Sequence, residues 1–280
     1  MWCISTEIQA SDAEKLSDLF ENFSQSVSWC ETQDESIWKV LGYTSLEVNL
    51  KEWELFLYLN GFDVSLQSET VEDQDWLALV YENLPAREVG PFWIYGSHIK
   101  DTAPSQLYPV HVDAATAFGS GEHETTQGCL RALAYLKEKN FTPQTALDMG
   151  CGSAILAIAM CKIYNDLPVL AVDNDPEAVR VAIENAKLNK CPSIQAQVSE
   201  GFESLEHKTY DVITANILAR PLIDLAKDLS ECLNKDSFLI LSGLLNWQKE
   251  EVLNAYTPFG LELEKEIEQN NWCALILKKN

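Results

Sequence analysis

The stretch from Ala146 to Ala159 admits few folds. Ala146 to Met149 is a short apolar run interrupted by one acid, Asp148. Gly150 and Gly152 then allow a tight turn with bare backbone at its crest, and an apolar helical run opens near Ser153. Strand, glycine turn and helix in that order open a βαβ unit, which belongs to a parallel sheet. The next apolar run, Val169 to Val172, ends in Asp173 and is followed by Asn174, Asp175 and Pro176. An acid about 20 residues beyond the glycine turn, at the end of the next strand, is placed to accept hydrogen bonds from ribose hydroxyls. The stretch therefore predicts a nucleoside-containing ligand over the carboxyl ends of a parallel sheet.

From Thr145 onward the alternation is regular. Strands are expected at 145–150, 169–173, 194–198, 210–215, 237–242, 261–267 and 272–278, with helices at 153–164, 176–189, 221–233 and 246–256. Glu268 to Asn271 is turn-rich and makes the last two strands a hairpin. The predicted fold class is α/β, a doubly wound, mostly parallel, seven-stranded Rossmann-like sheet with an antiparallel end. Residues 1–84 read as a separate small α/β domain. Strand-like spans lie at 2–8, 26–32 and 64–70, and helical ones at 11–22, 51–59 and 73–82. That domain carries no glycine-rich loop and no His/Cys cluster, so its expected job is to bind a partner, with a purely structural cap as the alternative. Residues 85–125 form a connection with Pro85, Pro91, Pro104 and Pro109 and a strand-like Phe92–Tyr95.

Charge and cysteine usage narrow the partners. A formal net charge of -23 opposes extended contact with phosphate backbones; it either serves solubility alone, which is what charge by itself favours, or suits a basic partner. Eight cysteines are scattered without a Cys-x-x-Cys pair, which suggests reduced thiols in a cytoplasm and no metal site. The apolar runs are of strand length, short of the roughly 20 residues of a membrane span, and Met1–Glu7 lacks the pattern of a signal peptide. A cytoplasmic monomer is expected.

A dinucleotide-binding domain would share the strand, turn, helix and acid. It would also want a third glycine, so that the helix N-terminus can hold a pyrophosphate. Here Gly150 and Gly152 are followed by Ala154 and Leu156. Asp148 stands two positions before Gly150, and an acid suits the ammonium of a sulfonium nucleoside that carries no phosphate. Tyr135 and Lys139 match a dehydrogenase pair in spacing, but they precede the first strand of the main sheet. A second loop, Ala117 to Thr126, leads into an apolar helix over 128–139, with Thr125 and Thr126 at its start, either as caps or as contacts to the same ligand. A methyltransferase accounts for more of these features than a dehydrogenase does.

Four segments occur together and in order: Ala117–Thr126, Asp148–Ala159, Val172–Pro176 and Ala215–Ala219. The combination resembles the ribosomal protein L11 methyltransferase family, and the Trp272–Cys273 hairpin is similar as well. Gly96, Ser97 and His98 look like its alphaproteobacterial branch. The specific motifs cover residue 85 to the end, whereas the first 84 residues are similar only in size and placement. The resemblance implies S-adenosyl-L-methionine-dependent N-methylation of lysine side chains and of the N-terminal amine of that ribosomal protein. It makes 1–84 the substrate-recognition domain, 85–125 a linker and cofactor-loop segment, and 126–280 the catalytic domain of a class I methyltransferase. The family's cofactor contacts fall on Thr126, Gly150, Asp173 and Asn216. By that resemblance Gly150 lies under the methionine part, Asp173 holds the ribose, Thr126 sits in the loop closing on the cofactor, and Asn216 stands near the reacting methyl. Two departures are Ala154 and Ala115, where the family usually has glycine.

The methyl of a sulfonium is already activated, so the protein mainly aligns a nitrogen lone pair with it. No single residue must be the base. His123 is a candidate, with a loop-orienting role as the alternative, and His98, His111 and His207 read as structural or surface residues. Phe118 and Trp247 either line a methylammonium pocket or simply pack. A nucleic-acid amino-methyltransferase would place Asn-Pro-Pro-Tyr after the fourth strand to hold a flipped base; here Asn216, Ile217, Leu218 and Ala219 stand there. A binding module with a methyltransferase fold would be expected to have lost the turn or the acid, and both are present.

Overall fold

The computed structural model describes residues 2–70 and 85–280, apart from 33, 35, 46, 47, 114–120, 122, 204, 206 and 207. The helix expected at 73–82, Ala115, Ala117–Ser120 with Phe118, Glu122 and His207 lie outside the described residues. The chain forms two compact units, residues 1–75 and 76–280.

The first unit is a four-stranded antiparallel sheet with two helices. Its strands are β1 (Trp2–Gln9), β2 (Ser26–Glu31), β3 (Ile37–Thr44) and β4 (Gln67–Thr70), in the order β2-β3-β1-β4. Helices α1 (Ala13–Phe20) and α2 (Leu50–Leu59) supply Leu16, Phe20, Trp53 and Leu57 to a core shared with Ile4 and Val40. Phe23 stacks on Trp53 with ring centroids 5.0 Å apart, and full burial of such side chains contributes about 1.5–3 kcal/mol each. The sequence pattern did not announce β3, because Lys39 and Gly42 interrupt its apolar alternation; eight-residue pairing with β1 makes it a strand all the same.

The second unit holds two sheets. The smaller comprises β5 (Arg87–Val89), β6 (Phe92–Tyr95) and β7 (Tyr108–His111), in that order. Pro109 is tolerated in β7 because β7 is an edge strand, where a missing N–H breaks no ladder. The larger contains β8 (Ala146–Met149), β9 (Val169–Asp173), β10 (Ile194–Val198), β11 (Tyr210–Asn216), β12 (Leu233–Leu245), β13 (Leu261–Gln269) and β14 (Trp272–Lys279). Their order is β10-β9-β8-β11-β12-β14-β13. The first five are parallel, and β14 lies antiparallel between β12 and β13. This is the expected doubly wound sheet with its terminal hairpin.

Helices cover both faces. On one lie α3 (Glu124–Glu138), α4 (Ile155–Ile163) and α5 (Pro176–Leu188); on the other lie α6 (Ala219–Asp224), α7 (Ala226–Glu231) and α8 (Lys249–Tyr256). In α4 every residue except Lys162 is buried, as expected of a helix that is apolar all round. Helix α5 starts as its sequence dictates: Asp175 accepts the amide of Glu177 at 2.9 Å, and Pro176 occupies the first turn. The helix expected over 221–233 is instead two short ones that break at Leu225, and β12 begins at Leu233 rather than 237. Asp236, with φ 58°, turns the chain at the irregular start of that strand. All eight cysteines are free thiols, six of them buried. Among the described residues no helix is long and apolar enough to cross a membrane.

Candidate active site

The order in which strands join the sheet reverses between the parallel neighbours β8 and β11. From β8 the sheet runs outward through β9 and β10, and the chain then returns to add β11 on the other side of β8. At such a switch point the loops part and leave a crevice beyond the carboxyl ends of the strands. A cavity of about 400 Å³ opens there, walled by Gly150, Gly152, Asp173, Asn174, Glu200 and Asn216 among others. Its size suits a small ligand.

The glycine turn is fastened to β9. The amides of Gly150 and Cys151 both donate to the Val172 carbonyl, at 2.8 and 2.9 Å. Gly152 then donates to Asp173 Oδ2 at 2.9 Å, while Asp173 Oδ1 accepts from Asp175 N at 3.1 Å. Asp173 is thus oriented by two amides and keeps oxygen lone pairs facing the cavity wall it shares with Gly150. On the far side, Asn216 Nδ2 donates to Thr126 Oγ1 at 3.2 Å, joining the end of β11 to the first turn of α3. Asn216 Oδ1 is buried and has no hydrogen-bond partner among the described residues. All four residues expected at the site therefore converge: three line the cavity, and Thr126, itself 1% exposed, is bonded to the third.

Helix α3 begins at Glu124, earlier than expected, and its cap is His123. The His123 ring accepts the Thr125 amide at 3.3 Å, meets the Thr125 hydroxyl at 2.8 Å and packs edge-on against Trp272. These contacts describe a loop-orienting histidine. Trp247, by contrast, is exposed.

Among the described residues lining the cavity there is no Lys, Arg or His, while Asp173 and Glu200 are both acidic. A pyrophosphate would meet no cation there, and a sulfonium nucleoside with a free ammonium fits the charge.

Comparisons with known proteins agree. The family model described as ribosomal protein L11 methyltransferase (PrmA) matches residues 2–280. The chain belongs to that family. A ribosomal protein L11 methyltransferase of Agrobacterium fabrum is 35% identical over 100% of this chain and 98% of its own length. One of Brucella melitensis is 40% identical over 75% of each chain. The crystal structure of a ribosomal protein L11 methylase from Lactobacillus delbrueckii subsp. bulgaricus aligns with a TM-score of 0.62 and 29% identity, covering 68% of this chain and 96% of that one. As a member of the family the chain is a class I, S-adenosylmethionine-dependent methyltransferase. The match spans residues 2–280, so it includes the first unit, where the motifs alone showed only similar size.

Asp148 sits differently from what its place before the turn suggests. It is 1% exposed and faces into the protein, accepting the Ala157 amide at 3.0 Å and the Thr214 hydroxyl at 2.7 Å. It pins the start of α4 to β11 and is not among the residues that line the cavity. Burial pushes its carboxyl up to about 7, against the opposing pull of those two hydrogen bonds. The unfolded chain releases this proton near 4, the folded chain only near 7. Stability should therefore fall as pH rises through that window, by about 4 kcal/mol from this group. Asp148→Asn should abolish that slope. Urea midpoints of both proteins from pH 4 to 8 measure it, and a constant gap between the two curves would contradict the assignment.

Ala154 is also buried, at φ 64°, a left-handed conformation natural to glycine. Its methyl packs in the core, so this departure strains the backbone by about 1 kcal/mol rather than obstructing the cavity. The sequence reading missed Ile217 and Leu218 on one wall and Ser199, Glu200 and Gly201 on another. The latter directly follow β10, and that position at the carboxyl end of a parallel strand was a usable signal.

Proposed function

We propose that the protein methylates nitrogen atoms of large-subunit ribosomal protein L11, at lysine side chains and at the N-terminal amine. The observation that carries this reading is the length of the match. A protein named ribosomal protein L11 methyltransferase from Allorhizobium ampelinum is 35% identical over 98% of this chain and 97% of its own. Both units, and not the catalytic fold alone, therefore have counterparts in a protein of that name. Residues 1–84 are assigned substrate recognition, 85–125 the linker and cofactor loop, and 126–280 catalysis.

In this reading Gly150 would lie under the methionine part of the cofactor and Asp173 would accept from the ribose hydroxyls. Thr126 would belong to the loop that closes on the cofactor and hold Asn216 through their hydrogen bond, and Asn216 would stand near the methyl. When bound, S-adenosylmethionine supplies an electrophilic methyl on its sulfonium. The residues do the rest. An ordinary lysine ammonium has a pKa of about 10.4, and transfer into a site with little water favours the neutral amine. Asn216, whose Oδ1 has no hydrogen-bond partner among the described residues and which lines the cavity, would accept a hydrogen bond from that amine and so orient its lone pair. The proton leaves to solvent. The charge of -23 draws a basic substrate toward the surface.

Label transfer tests the proposal. Purified protein with methyl-labelled S-adenosylmethionine should label isolated L11, whose mass should rise in steps of one methyl. Label appearing in RNA rather than protein would overturn it.

A further inference from the structure

Ile217, the residue after Asn216, is held between two glycines, Gly150 in the turn after β8 and Gly243 in β12. Gly243 has φ 87° and sits in the irregular stretch of β12 between Leu241 and Leu244. A Cβ built there would overlap the carbonyl oxygen of Ile217 and stand 2.7 Å from its carbonyl carbon and 3.0 Å from its nitrogen. The Ile217 peptide thus occupies the space a side chain at 243 would fill. Gly150, at φ 70°, does the same for the other half of the residue: a Cβ on it would overlap Ile217 Cγ2. The preceding pair is a regular rung, Asn216 opposite Ser242, and Ser242 is itself fixed by its hydroxyl on the Cys273 carbonyl at 3.0 Å. Bulges beside active sites commonly re-aim a side chain.

We propose that Gly243 and Ile217 are positioning residues for methyl transfer: the grip of Gly243 and Gly150 on Ile217 sets where the Asn216 carboxamide stands in the cavity wall. This rests on the methyl-donor reading of that cavity. A methyl group at 243 forces the Ile217 peptide to move by about 1 Å, and a displacement of that size at reacting groups costs about 100-fold in rate. Asp173, fastened to Gly152 and Asp175 on the opposite wall, is left in place, so cofactor affinity is retained.

The test is Gly243→Ala with Gly260→Ala as its control. Gly260 has φ 79° but nothing within 4 Å of a built Cβ, so it carries the left-handed strain without the collision. Gly243→Ala should lower kcat on L11 about 100-fold with the S-adenosylmethionine Kd within about threefold of wild type, and Gly260→Ala should change neither. A wild-type kcat in Gly243→Ala, a Kd loss matching the kcat loss, or an equal kcat loss in Gly260→Ala would each overturn the proposal. Should Gly243→Ala fail to fold, Ile217→Ala keeps β12 intact and should lower kcat at least tenfold; unchanged turnover overturns the proposal equally. The side-chain amide signals of Asn216, identified by their absence in Asn216→Ser, give a readout that needs no acceptor. They should shift in Gly243→Ala and stay in Gly260→Ala, and their failure to shift refutes the grip even if L11 is not the substrate. Absence of label on L11 with wild-type protein refutes the substrate reading alone.

Discussion

Asp173→Ala should weaken S-adenosylmethionine binding by about 10²–10³-fold. Its carboxylate is oriented by the amides of Gly152 and Asp175, so its remaining lone pairs meet a diol without further ordering. Hydrogen bonds to an ionised group contribute about 1.5–3 kcal/mol each, and two lost together at the lower end of that range give about 3–4 kcal/mol. The substitution also strips an acceptor from the Gly152 amide, which loosens the glycine turn itself. Asp173→Asn keeps one acceptor and should fall between. Titration calorimetry at a fixed pH reads all three proteins; equal affinities for wild type and Asp173→Ala would remove Asp173 from the site.

Deleting residues 1–84 should separate recognition from chemistry. Among the described residues, the main-sheet cores contain none before Val89, and the core of the first unit contains none after Leu66. Each unit thus buries its own apolar side chains. The shortened protein should bind S-adenosylmethionine within about threefold of the full chain, yet methylate L11 at least 100-fold less efficiently, because binding energy from parts of the substrate remote from the amine is lost. Calorimetry and label transfer on the same preparation test both halves. Methylation at the full rate would show that residues 1–84 do not recognise the substrate.

Local features made the catalytic fold readable. The run Ala146–Ile163 passes from strand to turn to helix with strong signals at each step, and Asp173, Asn216 and the hairpin after Glu268 stand where strand ends were expected. What stayed hidden depends on partners far along the chain. Gly128 looked like a helix start, yet it lies inside α3, where a side chain would press on Ala274 at 2.9 Å. The linker prolines masked β5 and β7, which exist because β6 lies between them. Of the residues expected from the resemblance, Gly150, Asp173 and Asn216 line one cavity and Thr126 is bonded to Asn216. The depth of Asp148 was not, since composition gives an acid but not its burial. Nor was the role of Gly243, which acquires meaning only from a peptide 26 positions earlier that it lies against.

The pairing of β8 with β11, set beside Asn216's bond to Thr126, bears on how the enzyme comes into being. Strands β8, β9 and β10 can zip up locally, whereas β11 must find β8 across a gap in which Val212 meets Ala146, and distant pairings of that kind form late. The crevice has one wall on each side of this seam. Full cofactor affinity should therefore appear in a refolding chain only as this seam closes, so the time course of S-adenosylmethionine binding would report on that pairing.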